Sequence, residues 1–110
     1  MISSAFDVLS NRGFITRKAF PGNANAAASN IFERAQEKFA RGQAVHGAVF
    51  FSALEIKNGT FPVYFSAVYP TGLDLPTPAT GEIVLKVLRF SGVYAEWDGD
   101  PKHPIIVRTN

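Results

Sequence analysis

Two apolar runs meet at Asn58-Gly59 in AVFFSALEIKNGTFPVYFSAVY, residues 48–69, and this pattern restricts the possible folds more than any other part of the chain. Asn-Gly supplies the two positive φ angles of a tight hairpin turn. The flanking runs are rich in Phe, Tyr, Val and Ile, residues that fit a pleated, half-buried surface. An antiparallel hairpin is predicted, and the rest of the chain must pack around it.

Side chains alternate between the two faces of a strand, so pairing Lys57 with Thr60 sorts the hairpin into two sets. Face one collects Phe50, Leu54, Ile56, Phe61, Val63, Phe65 and Tyr69, and reads as the core. Face two carries Glu55, Lys57, Thr60 and Pro62 near the tip and Val49, Phe51, Tyr64 and Val68 at the base. That apolar base needs a cover, because soluble monomers rarely expose an apolar patch beyond a few hundred Å². Either a helix of the same chain or a partner can supply it. Pro62 lacks an N–H, so it cannot complete a hydrogen-bonded pair with Glu55 in a two-residue loop. The expectation is a four-residue loop closing at Ile56 and Phe61, or a locally unpaired edge at Pro62.

Upstream, Ser3, Ser4 and Asp7 have the spacing of a capping box, with Ile2, Ala5, Phe6 and Leu9 on one helical face and Gly13 as the stop. This predicts a short helix over residues 4–11. The segment FITRKAF, residues 14–20, suits a strand or a helical turn. Over residues 25–41, Ala28, Ile31, Phe32, Ala35 and Phe39 recur at three- and four-residue intervals, the stripe of an amphipathic helix. Downstream, EIVLKVLRF (82–90), VYAEW (93–97) and HPIIVRT (103–109) read as strands separated by Ser91-Gly92 and Asp98-Gly99-Asp100-Pro101. Residues 70–80, with three prolines, read as a crossover loop or a docking loop anchored by Leu73 and Leu75. The predicted fold class is α+β: two N-terminal helices packed on a mainly antiparallel sheet of about five strands, a meander from residue 44 to the C-terminus.

At 110 residues the chain predicts one domain, residues 1–110, since halves of that size bury too little core to stand alone. It contains no cysteine, which excludes disulfides, thiolate metal sites and a Cys nucleophile, and fits a cytoplasmic location. No segment approaches the roughly 20 apolar residues that span a bilayer, so no membrane role is expected. The formal net charge is +2, from 11 Lys and Arg against 9 Asp and Glu. That balance provides little of the long-range field on which nucleic-acid binding draws.

No phosphate-binding glycine loop, zinc-protease helix or nucleophile elbow is present. Glu96, Asp98, Asp100 and His103 form the densest set of potential acid, base or cation-binding groups, but Asp-Gly-Asp-Pro is ordinary turn chemistry. His46 stands alone beside Gly47. No catalytic residue, metal or cofactor is predicted.

Two binding surfaces compete instead. The first is the apolar set Val49, Phe51, Tyr64 and Val68 with Leu73 and Leu75, which would bind another protein or a second copy of the chain as a homo-oligomer. The second is a basic ridge in which Arg34, Lys38 and Arg41 share one side of the long helix. With Arg12, Arg17 and Lys18 it would face nucleic-acid phosphates, while Tyr64 or Trp97 stacks on bases. A small-ligand cone or active site with His46 or the 98–103 turn at its mouth is a third reading, resting on fold analogy. The predicted function is that of a small non-enzymatic interaction module.

Overall fold

The computed structural model describes residues 1–69, 72–74 and 77–109, with Tyr69 and residues 72–74 described by their backbone alone. In chain order the elements are α1 (Ile2–Asn11), β1 (Phe14–Phe20), α2 (Ala24–Ala40), β2 (Gly47–Ser52), β3 (Thr60–Tyr69), β4 (Gly72–Asp74), α3 (Pro78–Phe90), β5 (Tyr94–Glu96) and β6 (Ile105–Arg108). The α+β class holds, but the arrangement is not helices followed by a meander. The strands are ordered β1-β2-β3-β6-β5, with β4 pairing to β3. β1 runs parallel to β2 and every other pairing is antiparallel. Parallel neighbours need a crossover, and α2 is that crossover. FITRKAF is thus a strand that precedes the long helix.

The largest departure from expectation is α3. EIVLKVLRF was expected as a strand for its β-branched residues, yet its apolar side chains also fit a helical stripe, and Gly81, Val84, Val87 and Leu88 are the buried ones. Thr77 caps the helix by accepting from the Thr80 N–H at 3.2 Å, and Pro78 occupies the first turn, where its missing N–H costs nothing. At the other end, Val93 N–H bonds to Leu88 O and Gly92 N–H to Arg89 O, the paired bonds that close a helix on a glycine. α3 therefore takes up residues 78–80 of the expected crossover loop, and β4 takes up residues 72–74. Leu75, Pro70, Thr71 and Pro76 lie outside the described residues, as does the side chain of Leu73, which stands opposite Val68 in the β3–β4 register.

Both N-terminal helices form where expected, with changed details. α1 buries Ala5, Phe6 and Leu9, but its N-cap is Met1 and no side chain caps it, so the capping box is not made. α2 is capped by Asn23, which accepts from the Ala26 N–H at 2.8 Å. It buries Ala27, Ile31 and Ala35, so Ala28 and Phe32 flank the buried stripe and are half-buried.

The hairpin tip is the two-residue turn, with Asn58 at φ 54° and Gly59 at φ 75° and reciprocal 2.9 Å bonds between Lys57 and Thr60. The four-residue loop does not form. Behind the tip the strands change register: Val49 faces Phe65 and Phe50 faces Tyr64, three residues away from the pairing set by the turn. Ala53–Glu55 takes up the difference as one 3-10 turn, started by Ser52, whose Oγ accepts from the Leu54 N–H. An odd shift moves a strand's side chains to the opposite face. Val49 and Phe51 therefore join Phe61, Val63 and Phe65, while Phe50 joins Tyr64 and Val68. Leu54 (65% exposed) and Ile56, expected in the core, are exposed because they belong to the excursion and the tip. β2 has left β3 before Pro62, which pairs on its other side opposite Ile106.

Two cores result. On the first face α1 and α3 cover the sheet, and Phe6, Leu9, Val84 and Leu88 pack on Val49, Phe51, Phe61, Val63 and Phe65. Phe51 sits edge-on to Phe6 at 5.4 Å and stacks on Phe61 at 4.3 Å. On the second face α2 lays Ala27, Ile31 and Ala35 over Ile15, Ala48, Phe50 and Val68.

Candidate interaction surfaces

Behind its tip, the hairpin is covered on both faces by helices of the same chain. Val49, Phe51 and Val68 are buried, Phe51 to 4% exposure, and Tyr64 is half-buried, stacked on Phe50 at 5.3 Å. This set is not an open docking patch: the register shift carries Val49 and Phe51 under α1 and α3, and α2 covers Val68. Between the long helix α2 and the sheet, where a ligand-holding cone would lie, Ala27, Ile31 and Ala35 pack directly on Ile15, Ala48, Phe50 and Val68.

Cover on the second face is incomplete. α2 packs on β1, β2, β3 and β4, while the outward side chains of β5 and β6 alternate with buried ones and remain exposed. Two cross-strand rows define the bare half. Thr60, Arg108 and Tyr94 form one, and Pro62, Ile106 and Glu96 form the other. Tyr94 is 52% exposed and Ile106 39%. The Arg108 guanidinium carbon lies 5.3 Å from the Tyr94 ring centroid, and the Tyr94 hydroxyl donates to Glu96 Oε1. That bond to a carboxylate, followed by its charge, raises the Tyr94 pKa above its ordinary value. The rows thus carry an apolar centre with fixed charges of both signs.

At one end of this half, a groove of about 540 Å³ is lined by Arg89, Glu96, Trp97, Asp98, His103, Pro104 and Ile106. Here Asp100 N–H bonds to Asp98 Oδ1 and Lys102 N–H to Asp100 Oδ1, both at 2.9 Å, the local bonding that turn aspartates provide. Trp97 Nε1–H donates to the carbonyls of Asp100 and His103, tying the turn to the sheet. His103 Nδ1 lies 2.6 Å from Asp98 Oδ2, which raises the His103 pKa above 6.5. Asp98 falls below its ordinary value, chiefly through the Asp100 N–H and then His103. Among the described residues no group of three or more His, Asp or Glu side chains could hold a metal. His46 is exposed elsewhere, bonding through its N–H to Gly13 O.

The sheet edges are blunted. β1 breaks register between Arg17 and Phe20, where Ala19 takes a left-handed φ of 48°. β5 has three residues, and Arg89 donates to Ala95 O through Nε and Nη2 at 3.1 and 3.0 Å, occupying a carbonyl that an added strand would use. Bulges, short length and charged side chains are the devices that discourage edge pairing.

The expected basic set is divided. Arg34 and Arg41 are exposed and Lys38 is half-buried on α2, with Lys18 exposed on β1. Arg17 is committed to Asn30 Oδ1 at 2.6 Å and to Thr16 O, and Arg12 lines a different surface beside α3. Trp97 packs edge-on against Phe65 at 5.6 Å, and Tyr64 donates to Glu55 Oε2 at 2.7 Å, so both proposed stacking rings have partners within the chain.

These features define a small α+β domain whose mixed sheet is sealed on one face and half-covered on the other. The chain belongs to the family described as Domain of unknown function (DUF6891), whose profile matches residues 2–110. Comparison with curated proteins and with solved structures returns no match. No helix among the described residues is long and apolar enough to cross a membrane.

Proposed function

We propose that this chain is a non-enzymatic interaction module that self-associates through the bare half of its second sheet face. The observation that carries the reading is that α2 stops short of β5 and β6, leaving Tyr94 and Ile106 exposed between Arg108 and Glu96. Edge pairing is disfavoured by the Ala19 bulge and the Arg89 cap, which leaves the face as the route. Charges of both signs suit a two-fold arrangement in which Arg108 of one copy meets Glu96 of the other.

Three strands about 4.8 Å apart, paired over only three or four residues, cover roughly 14 by 12 Å. This is well below the roughly 800 Å² per partner of a standard interface, so association is weak and reversible, in the micromolar range or above. Sedimentation equilibrium across about 10 μM to 1 mM brackets that range. The expected result is a monomer–dimer equilibrium that Ile106→Arg abolishes with unfolding stability changed by no more than about 0.5 kcal/mol. Arg108→Glu should weaken it and Glu96→Arg in the same chain should restore it. A wild-type chain that stays monomeric throughout sinks the proposal.

A further inference from the structure

On the other face of the sheet, α1 and α3 leave between them a groove of about 670 Å³, lined by Val8, Arg12, Lys86, Val87, Arg89, Phe90 and Ser91. Its apolar part is Val8, Val87 and Phe90, and the Phe90 side chain is 95% exposed at the end of α3. An aromatic ring left this bare at a helix end serves no packing purpose within the chain. Around it stand three cations, Arg12 on the α1 side and Lys86 and Arg89 on the α3 side; the acids nearest in sequence, Asp7, Glu82 and Glu96, all fall outside the lining, although Glu96 shares two neighbouring grooves with Arg89. The bonds from Arg89 to Ala95 O hold one of these charges in place.

We infer that this groove docks an acidic amphipathic helix of a partner protein. The furrow between two packed helices accepts a third helix whose anchors recur at i, i+3 or i+4, and i+7. Those anchors would meet Val8, Val87 and Phe90. Because both walls are cationic, the segment carries Asp or Glu on both flanks of its apolar stripe. A second copy of this chain is a poor occupant, since it would bring three more cations against these three. A bilayer is also a poor fit, because its surface cannot follow the recess down to the buried Val87.

A display library of helix-forming peptides provides the test, with Leu, Ile, Phe or Met at the stripe and Asp, Glu, Lys or Arg mixed freely at the flanks. Selection on the full chain should enrich acid on both flanks. The best peptide should shift the amide resonances of Val8, Lys86 and Phe90. Lys86→Glu and Phe90→Ala, both changes at exposed positions, should each weaken it by about tenfold or more. Ile106→Arg should leave it unchanged, so loss of this site and loss of the sheet-face contact are read separately. Enrichment of basic or uncharged flanks, or of nothing, overturns the inference. So does peptide affinity indifferent to both variants, a Phe90-dependent dimer, or tighter binding to phosphatidylserine vesicles than to any selected peptide.

Discussion

The two faces of the sheet are built from the same strands but closed with different materials. α1 and α3 bring Phe6, Leu9, Val84 and Leu88 onto a floor of Phe51, Phe61 and Phe65, whereas α2 brings Ala27, Ile31 and Ala35 onto Ile15, Phe50 and Val68. Each fully buried large side chain contributes about 1.5–3 kcal/mol and an alanine far less. The first face therefore carries most of the stability. The second is held by Ile31, by tethering at both ends, and by the caps of α2. A helix that buries little needs little area, and the uncovered remainder is the half of the face occupied by β5 and β6.

The sharpest way to break this comparison is at Phe51. Truncation to alanine should cost about 3–5 kcal/mol in denaturant unfolding, and Phe51→Glu should not fold, because it buries an unpaired carboxylate between Phe6 and Phe61. A folded Phe51→Glu chain would mean that the register behind the tip is the one set by the turn. Ile31→Ala should cost about 2 kcal/mol, near the low end for such a change, since alanines on either side let the helix settle. Hydrogen exchange should find α2 amides less protected than those of α3, and equal protection would contradict the asymmetry.

Tyr64 lies where the covered and bare halves meet, and its pKa is pushed up to about 12 by burial and by the bond to Glu55. The raised pKa contributes stability that is complete below pH 10 and is lost as pH climbs from about 10 through about 12. Denaturant unfolding of the wild type should thus weaken over that window relative to Tyr64→Phe. Parallel curves would place the hydroxyl in water.

The smallest effect belongs to His103, at the exposed end of the bare half. Its elevated pKa contributes stability below pH 6.5 that disappears as pH rises through the folded value, while Asp98 contributes above its ordinary 3.8 and loses it as pH falls. An NMR titration should show the His103 midpoint falling back toward the usual value in Asp98→Asn. An unmoved midpoint would dissolve the pair.

Much of the fold was legible in local pattern. The position of the hairpin tip at Asn58-Gly59, though not its loop length, the buried faces of α1 and β3, the stripe of α2 to within one residue, and the strands β5 and β6 all follow from spacing. α3 was legible too, in Thr77-Pro78 and Ser91-Gly92, but β-branched residues outweighed those signals. Ser52 inside an apolar run was the one mark of the excursion that re-registers β2, since a hydroxyl can start a turn by bonding to a nearby backbone N–H. The parallel pairing of β1 with β2 and the stopping point of α2 depend on contacts between distant segments. For that reason the bare rows through Tyr94 and Ile106 could not be picked out in advance.

The position of Trp97 has a practical consequence. Its ring sits so close to Gly81 of α3 that a Cβ built there would come within 2.5 Å of it, and it meets Phe65 of β3 edge-on. It is also the sole tryptophan of the chain. Its emission is therefore a built-in optical gauge of α3 docking and is blind to α2, whereas the helical signal in circular dichroism counts both. If the sparsely packed helix lets go first, the two signals will part company in a single melt, with no label added and no residue changed.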